Sequence, residues 1–428
     1  MRGAGGGANL LALRSHNTAL VLDLLRTAGT EGISRLELAD RTGLTPQAVS
    51  KITARLREEG LAAEAGRRAS TGGKPRTVLR LVPEAGHAVG VHLDRDELRA
   101  VLADLDGTVV ARRHAALDLG AGAEAVLGRV AAVVGELGAE VAGAAEVAGV
   151  VRTAGAAGVA GVVRTAGVAG VAGVVRTARA AGVARTPGAA GVARTPGAAG
   201  VVRTGGAAGG RSLLGVGVAL PGPLDHRRGV LHRVTGFPEW DGFPLRDALA
   251  ERLGGVPVVV DKDTNAVALG LAVGGEGGSF AYLHLGTGLG AGLVVGGSVH
   301  RGPRTGAGEF GHQVVQLDGP PCGCGDRGCV EALCLAAVAR GETREAARVL
   351  GTGAANLVGL LDIDRVLVGG RTVEGAPGVF LGGVRGVLEA RARRTGEECV
   401  GVGLVSGESR VAEGAAQLVL APVFGQDG

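Results

Sequence analysis

The segment GEFGHQVVQLDGPPCGCGDRGCVEA, residues 308–332, carries the strongest pattern in the sequence. It places His312, Cys322, Cys324 and Cys329 in the spacing H-x9-C-x-C-x4-C. Three thiolates and one neutral imidazole suit Zn²⁺, and four protein ligands fill its tetrahedron and exclude a reactive water. Glycines between the cysteines allow the tight turns that wrapping a metal requires. We therefore predict a structural zinc site in a loop at 308–331, rather than unrelated thiols in a flexible loop.

Strand-like and helix-like segments alternate on both sides of this loop. Apolar runs typical of buried strands are LLGVGVAL (213–220), VPVVV (256–260), FAYLHL (280–285), AGLVVGG (291–297) and RVLVGG (365–370). An earlier strand, hairpin and strand begin at Ala88 and lead into a helical stretch from Ala123 to Val141. The alternation predicts a three-layer α/β domain, with RVLVGG as its last strand.

The N-terminal region, residues 10–82, has the pattern of three helices followed by a β-wing. TALVLDLLR (18–26) has helical spacing, and Ser34 with Glu37 three residues later forms a capping-box pattern for a second helix. Thr45 can cap a third helix whose first residue is Pro46. An extended TVLRLV follows a loop rich in glycine and arginine. These features predict a winged helix-turn-helix domain.

Short repeats interrupt the α/β pattern between residues 143 and 210. The unit GV[VA]RT recurs, and neither an acid nor an aromatic residue occurs from 147 to 210. Units of alanine, glycine, valine and arginine lack the large apolar side chains that stacked repeats bury. We therefore predict a low-complexity, disordered insertion at 143–210 that divides the α/β domain into residues 86–142 and 211–428.

Composition restricts the cellular context and the partners. The chain has 428 residues, a net charge of +4, and no apolar stretch long enough to span a membrane. Its start lacks the pattern of a secretion signal, and five cysteines with three in one cluster suit a metal site in a reducing compartment. Residues 1–80 contain 13 Lys and Arg against 7 Asp and Glu. We expect a cytoplasmic protein, located at the nucleoid when its basic N-terminal region binds DNA.

Three further features could form a ligand site. Asp263 follows a buried strand in VVVDKDTNAVALG, where a carboxylate could accept a sugar hydroxyl, act as a general base, or cap the next helix. Glu309 lies close before His312 and could bind neighbouring sugar hydroxyls or support the metal ligands. The hairpin LGTGLGAG (285–292) could approach a phosphate or simply form a tight turn.

Five motifs in this order resemble the ROK family of repressors, open reading frames and sugar kinases. They are LPGPLD (220–225), DKDTNAVALG (261–270), LGTGLGAG (285–292), GEFGH (308–312) and CGCGDRGCVEA (322–332). The repressor branch, which includes the xylose and N-acetylglucosamine repressors, joins a winged helix-turn-helix to a duplicated, actin-like sugar-kinase domain of the ribonuclease H-like ATPase fold. The resemblance implies that Asp263 holds the kinase general-base position, that Glu309 and His312 contact sugar hydroxyls, and that His312 and the cysteines bind Zn²⁺.

Departures from the kinase pattern argue against phosphoryl transfer. Family kinases have a D-x-G-G-T phosphate loop where this chain has HLDRD at 92–96, so acidic and bulky side chains oppose nucleotide phosphates. Lys262 replaces an Asn usually paired with the catalytic Asp, and Gly236 replaces another Asn. We expect Asp263 to be a vestigial general base. Lys262 is either an effector ligand that meets a sugar phosphate or a solvated surface lysine.

The DNA-binding candidates lie on the third helix and the wing. A helix-turn-helix places the start of its second helix in the major groove, and Gln47 could read adenine while Lys51 and Arg55 contact phosphates. The full set predicted to contact DNA is Thr45, Gln47, Ala48, Ser50, Lys51, Arg55 and the wing residues Arg67, Arg68, Lys74 and Arg76. A basic solvated surface is the alternative.

The leading hypothesis is a homodimeric or homotetrameric transcriptional regulator, most simply a repressor, that binds a double-stranded operator. A sugar or sugar phosphate in the cleft would change its operator affinity. One alternative is a zinc-containing, ATP-dependent sugar kinase of the glucokinase type with an accessory DNA-binding arm. Another is a constitutive DNA-binding protein whose sugar domain only dimerises.

Overall fold

A computed structural model describes residues 10–68, 76–154, 212–232, 234 and 237–426. The N-terminal part contains three helices and a small sheet. These elements are α1 (Leu10–Thr27), β1 (Ile33–Ser34), α2 (Arg35–Thr42), α3 (Pro46–Glu58), β2 (Ala62–Arg68) and β3 (Arg76–Leu81). The sheet is antiparallel in the order β1-β3-β2, so β2 and β3 form the wing. The tip of the wing, with Lys74, lies outside the described residues.

Local capping defines the helix-turn-helix as the sequence predicts. The Ser34 hydroxyl accepts the backbone N–H of Glu37 at 3.3 Å, and the Glu37 carboxylate accepts the backbone N–H of Ser34 at 2.8 Å. Thr45 Oγ1 accepts the backbone N–H of Ala48 at 3.3 Å, and Pro46 is the first residue of α3. The capping box and the predicted start of the third helix are therefore confirmed.

The remaining described residues form two lobes, each built on a five-stranded sheet. The first lobe contains β4 (Gly86–Leu93), β5 (Glu97–Asp104), β6 (Val109–Ala116), α4 (Ala123–Ala154), β7 (Ser212–Leu220), β8 (Leu224–Asp225), β9 (Val230–Leu231), α5 (Leu245–Arg252), β10 (Val258–Lys262) and α6 (Asp263–Val273). The second contains β11 (Phe280–Leu285), β12 (Leu289–Val295), β13 (Ser298–Val299), α7 (Val330–Ala339), α8 (Thr343–Leu361), β14 (Arg365–Gly369), α9 (Arg371–Glu374), α10 (Pro377–Thr395), β15 (Gly401–Val405) and α11 (Arg410–Leu420).

The two large sheets have the same topology. In the order β10-β7-β4-β5-β6, strand β4 pairs antiparallel with β5 and parallel with β7. In the order β13-β12-β11-β14-β15, strand β11 pairs antiparallel with β12 and parallel with β14. Each lobe thus starts on a central strand, forms a meander on one side and continues with parallel strands on the other. This repetition is the duplicated actin-like, sugar-kinase fold expected from the sequence.

Helices α6 and α11 lie between the two sheets and touch them through glycines. On β12, a Cβ added to Gly292 would lie 2.1 Å from the carbonyl oxygen of Thr264 in α6. On β7, a Cβ added to Gly217 would lie 1.8 Å from the carbonyl oxygen of Ala415 in α11. Since no side chain fits at these contacts, glycine is required for the helices to reach the sheets.

We expect Gly217→Ala to lower the free energy of unfolding by about 2 kcal/mol or more, because the added methyl group forces α11 away from β7. Urea unfolding of the full chain measures the effect. The matched control is Gly135→Ala on α4, where a Cβ has no neighbour within 4 Å and alanine favours the helix. Equal urea midpoints for wild type and Gly217→Ala would refute the close contact.

Two sequence predictions about these elements need correction. RVLVGG is not the last strand, because β15 follows it and pairs parallel with β14. The segment GVGLV of β15 is rich in glycine and mostly solvent-accessible, so it lacks the apolar run of a buried strand. Helix α4 continues to Ala154, into the predicted repeat insertion. The disorder and domain limits assigned to 143–210 remain predictions, because 155–211 lie outside the described residues.

The winged domain packs directly on the first lobe. Leu25 of α1 and Leu79 of β3 belong to the same buried cluster as Val101 of β5 and Leu420 of α11. The two parts therefore share a continuous apolar core. Across the described parts of the chain, no helix is long and apolar enough to cross a membrane.

Candidate functional site

The predicted metal ligands converge in the structure. One ligand atom from each of His312, Cys322, Cys324 and Cys329 lies within 4.8 Å of all the others. Cys322 Sγ is 3.6 Å from His312 Nδ1, and the sulfurs of Cys324 and Cys329 are 3.7 Å apart. A tetrahedron with Zn–S bonds of about 2.3 Å has edges of about 3.8 Å. The four residues could therefore hold a metal ion, and their spacing fits zinc.

Local backbone structure brings these ligands together. His312 ends a short 3₁₀ turn that starts at Phe310, and Cys329 directly precedes α7. The backbone N–H of Cys322 donates to the carbonyl of Asp326 at 2.8 Å, which closes the turn around Cys324. Gly328 has φ of +65°, and a Cβ there would lie 1.6 Å from the carbonyl oxygen of Gln316. This glycine lets the loop fold back on itself before the last cysteine.

The surroundings of the three cysteines shift their pKa values in different directions. Burial is the main cause that raises the pKa of Cys329 to about 12, and burial also raises the pKa of Cys322. A hydrogen bond from the backbone N–H of Asp326 lowers the pKa of Cys324. Because metals bind thiolates, metal binding at this cluster has to displace protons from at least Cys322 and Cys329, whose pKa values are raised.

A cavity of about 150 Å³ lies between the lobes, next to the cysteine cluster. The end of β4, the start of α6, the β11–β12 turn and the loop before the cysteines all contribute to its wall. The predicted ligand residues Asp263, Glu309 and His312 line it together. His312 Nδ1 lies 3.6 Å from the Cys322 sulfur, and the same residue belongs to the cavity wall. Carboxylates and an imidazole that share one concave wall can bind a ligand rich in hydroxyl groups.

Asp263 is the first residue of α6 and not its N-cap. The N-cap position is Lys262, whose side chain makes no capping hydrogen bond. The Asp263 carboxylate accepts the backbone N–H of Thr264 at 2.6 Å and lines the cavity. The nearby Asp261 organises this helix start, because it accepts hydrogen bonds from Asn265 at 2.8 Å and from Arg301 at 2.6 Å. The helix-cap interpretation of Asp263 is therefore not what the structure shows.

Lys262 is buried in the cavity wall, and its ammonium group is hydrogen-bonded. Its side chain is only 3% exposed, and its ammonium group donates to Glu309 Oε1 at 3.1 Å and to the carbonyl oxygen of Ala307. The Glu309 side chain keeps 41% exposure. A buried ammonium is tolerated because a carboxylate and a carbonyl compensate its charge. The solvated-lysine alternative is thus wrong, and the ammonium already has partners.

The HLDRD segment contributes to an ion pair between the lobes. Arg371 begins α9 in the second lobe, and its guanidinium lies 2.6 Å from Asp94 Oδ2 and 3.4 Å from Asp96 Oδ1. Asp94 is only 13% exposed. Arg371 lies 277 residues from Asp94 in sequence, so sequence reasoning identified the acids but missed Arg371. The two acidic side chains and Arg371 thus form a charged cluster between the lobes.

His92 lies in the wall of the same cavity. It is buried, and burial lowers its pKa despite the opposing influence of the Asp263 and Asp94 carboxylates. The imidazole is therefore neutral near pH 7. It offers a hydrogen-bonding group without adding positive charge to the cavity.

The predicted DNA-contacting residues form an exposed face where the structure describes them. Thr45, Gln47, Ser50 and Lys51 are exposed at the start of α3, and Ala48 is half-buried. Arg55 is exposed but donates to the Thr18 hydroxyl at 3.0 Å, which ties it to α1. On the wing, Arg67 and Arg76 are exposed, whereas for Arg68 only the strand backbone is described.

Both parts of the chain have similarities to known proteins. Residues 206–337 match the model of the ROK family, and residues 21–62 match a winged helix-turn-helix DNA-binding model. A glucokinase of Thermotoga maritima is 42% identical over 134 residues, which cover 30% of this chain and 42% of the kinase. A putative xylose repressor of Caldicellulosiruptor sp. is 24% identical over 326 residues, which cover 76% of this chain and 64% of that protein. The chain thus spans less than two thirds of either relative.

A solved structure shares the whole architecture. A ROK family transcriptional regulator, described as a homolog of the E. coli MLC protein, superposes with a TM-score of 0.67 at 18% identity and covers 97% of this chain and 98% of its own. This similarity establishes the fold of both parts in one chain. Relatives thus include both repressors and kinases. The chain is thus similar to the ROK family over residues 206–337 and to winged helix-turn-helix DNA-binding domains over residues 21–62.

Proposed function

We propose that this protein is a transcriptional repressor whose affinity for an operator changes when a sugar occupies the cavity between the lobes. The observation that carries the proposal is that the winged helix-turn-helix domain, with its exposed face, shares one apolar core with a sugar-kinase-like fold. In that fold, Asp94 and Asp96 form ion pairs with Arg371. The similarity to a putative xylose repressor supports this function. Homodimers or homotetramers in the cytoplasm would bind the two halves of a symmetric operator.

Sugar binding would use the groups that line the cavity. Asp263 and Glu309 accept hydroxyl hydrogens, and the His312 imidazole contacts a further hydroxyl group. Zn²⁺ on His312, Cys322, Cys324 and Cys329 would hold this imidazole and the loop in place as a structural ion. Because the Lys262 ammonium is already engaged by Glu309, a neutral sugar suits the cavity better than a sugar phosphate.

The alternative function is an ATP-dependent sugar kinase with an accessory DNA-binding arm, which the similarity to a glucokinase favours. Phosphoryl transfer needs backbone amides or cations free to hold the nucleotide phosphates. Asp94 and Asp96 of the HLDRD segment instead carry negative charge and engage Arg371. Incubation with ATP and a panel of hexoses and pentoses tests this alternative. Sugar phosphate formation that Asp263→Asn abolishes would establish the kinase.

Selection of bound duplexes from a random DNA pool tests the DNA-binding part. We expect Lys51→Ala to weaken binding to all selected sequences and to reduce the slope of log affinity against log salt by about 1, because one phosphate contact is lost. We expect Gln47→Ala to relax preference at one base pair by about 1–3 kcal/mol. Arg393→Ala, an exposed change on α10, is the charge-matched control. No selected sequence, or equal salt slopes for Lys51→Ala and wild type, would contradict the assignment of this face.

A constitutive DNA-binding protein whose sugar domain only dimerises is the remaining candidate. Its thermal unfolding temperature would not rise with any sugar, whereas that of the proposed repressor would rise with the sugar that it binds. Thermal unfolding with xylose, glucose, N-acetylglucosamine and their phosphates separates the two functions.

A further inference from the structure

Three helices connect the cavity to the winged domain in an unbroken series of contacts. Helix α6 starts at the cavity, where Lys262, Asp263 and Thr264 belong to its wall. Helix α11 crosses α6 and runs on into a 3₁₀ turn, Ala421–Phe424. That turn packs against α1 of the winged domain. The series therefore leads from the proposed sugar site to the DNA-binding domain without passing through solvent.

The crossing of α6 and α11 is a contact between backbones. A Cβ on Gly414 of α11 would lie 2.1 Å from the carbonyl oxygen of Ala266, and a Cβ on Gly270 of α6 would lie 3.2 Å from the Cα of Gly414. Helix α6 rests on β12 of the second lobe, whereas α11 rests on β4 and β7 of the first. A movement of one lobe against the other must displace these helices, because no flexible side chain separates them.

The contact between the end of α11 and α1 uses both apolar and polar groups. Phe424 is 4% exposed, and the Arg26 guanidinium lies 4.8 Å from the centre of its ring. Gln426 Nε2 donates to Asp23 Oδ1 at 3.1 Å, and the same oxygen accepts Arg26 Nη2 at 2.7 Å. One carboxylate oxygen of Asp23 in α1 therefore binds both Arg26 and Gln426, and Gln426 follows the 3₁₀ turn after α11.

This junction has room for a second arrangement. A cavity of about 210 Å³ is bordered by Arg26 of α1, Gly270 of α6 and Gln417 of α11. Arg26 Nε and Gln426 Oε1 are buried and have no hydrogen-bond partner within the described part of the chain. The free volume beside Arg26 leaves space for a small shift of α11 against α1.

We infer that α11 and the contact of Phe424 and Gln426 with α1 couple the sugar site to the DNA-binding domain. The inference rests on the proposed function, because only a sugar-controlled repressor would use this coupling. The physical connection between α6, α11 and α1 can be tested without any ligand. Closure of the lobes on a sugar would displace α6, and α11 would pass that displacement to α1 and change the orientation of α3.

Amide hydrogen exchange of the full, ligand-free chain tests the connection. Phe424→Leu keeps an apolar side chain but removes the ring beneath Arg26. We expect exchange to become at least about threefold faster in α1 and also in residues 263–269 of α6. Phe380→Leu, an equally buried change in the second lobe, is the matched control and should leave α1 at wild-type rates. Faster exchange confined to α1 and the turn at 421–424, with α6 unchanged, would overturn the inference.

A second variant and a second measurement distinguish loss of the coupling from misfolding of the chain. Gln426→Ala removes the hydrogen bond to Asp23 without touching the apolar core, and the same pattern of exchange is expected. With a sugar that changes wild-type operator affinity at least about fivefold, both variants should still bind the operator but respond less than about twofold. A full response in both variants would refute the coupling. If the wild type responds to no sugar, the proposed function fails, while the exchange experiment still decides the connection.

Discussion

Cys324→Ser is expected to reduce bound zinc from one ion per chain to less than about a tenth, because a hydroxyl group is a poor substitute for a thiolate. Cys324 is exposed, so the change removes a ligand without opening a cavity in the core. Structural zinc contributes on the order of 10 kcal/mol to the folding of isolated zinc loops. We therefore expect the loop at 308–331 to lose its order and the chain to unfold at a lower temperature.

Loss of the metal should also weaken sugar binding by at least about tenfold, since Glu309 and His312 belong to the same loop. Metal analysis of the purified chain and calorimetric titration with sugar measure the two effects. Cys399→Ser is the matched control, because Cys399 is also exposed but lies outside the cluster. An unchanged sugar response in zinc-free protein would refute the link between the metal and the cavity.

Glu309→Gln is expected to lower sugar affinity on the order of 100-fold. The change removes a charged hydrogen-bond acceptor from the cavity wall, and the upper part of the usual range for such a bond, about 2.5–3 kcal/mol, corresponds to a loss of this size. It also leaves the buried Lys262 ammonium without its carboxylate, so the free energy of unfolding should fall by about 1–3 kcal/mol. Calorimetric titration and thermal unfolding measure these effects separately.

The double variant Glu309→Gln with Lys262→Met separates the two causes. It removes the unpaired charge, so stability should recover while sugar binding stays weak. Glu342→Gln, whose carboxylate pairs with Arg340 on an exposed turn away from the cavity, is the control. Sugar affinity at the wild-type level in Glu309→Gln would exclude Glu309 as a ligand.

Features defined by neighbouring residues were predictable from the sequence. The capping box of Ser34 and Glu37, the start of α3 at Pro46, and the metal cluster depend on short spacings that a linear pattern preserves. The duplicated α/β architecture was expected from the alternation of strands and helices together with the family resemblance, whereas the strand order within each lobe comes from the structure. These features need little information about the tertiary fold.

Contacts between distant residues were not predictable in the same way. The Lys262–Glu309 pair and the Arg371–Asp94 pair join residues far apart in sequence, and only the folded chain shows that both the lysine and the arginine are already engaged. No pattern in the sequence distinguishes Gly414, which touches α6, from a glycine on an open surface. Strand β15 was not predicted, because its sequence GVGLV contains two glycines and is mostly solvent-accessible and therefore lacks the apolar run of a buried strand.

The central claim is that sugar occupancy controls operator binding, and one titration tests it most directly. A selected operator duplex bound to the full, zinc-loaded chain is titrated with xylose, glucose, N-acetylglucosamine, their phosphates and ATP. We predict that at least one neutral sugar changes the operator Kd by about fivefold or more, while ATP neither changes the Kd nor yields a phosphorylated sugar. An operator Kd that no sugar alters, or transfer of phosphate from ATP to a sugar, would contradict the account.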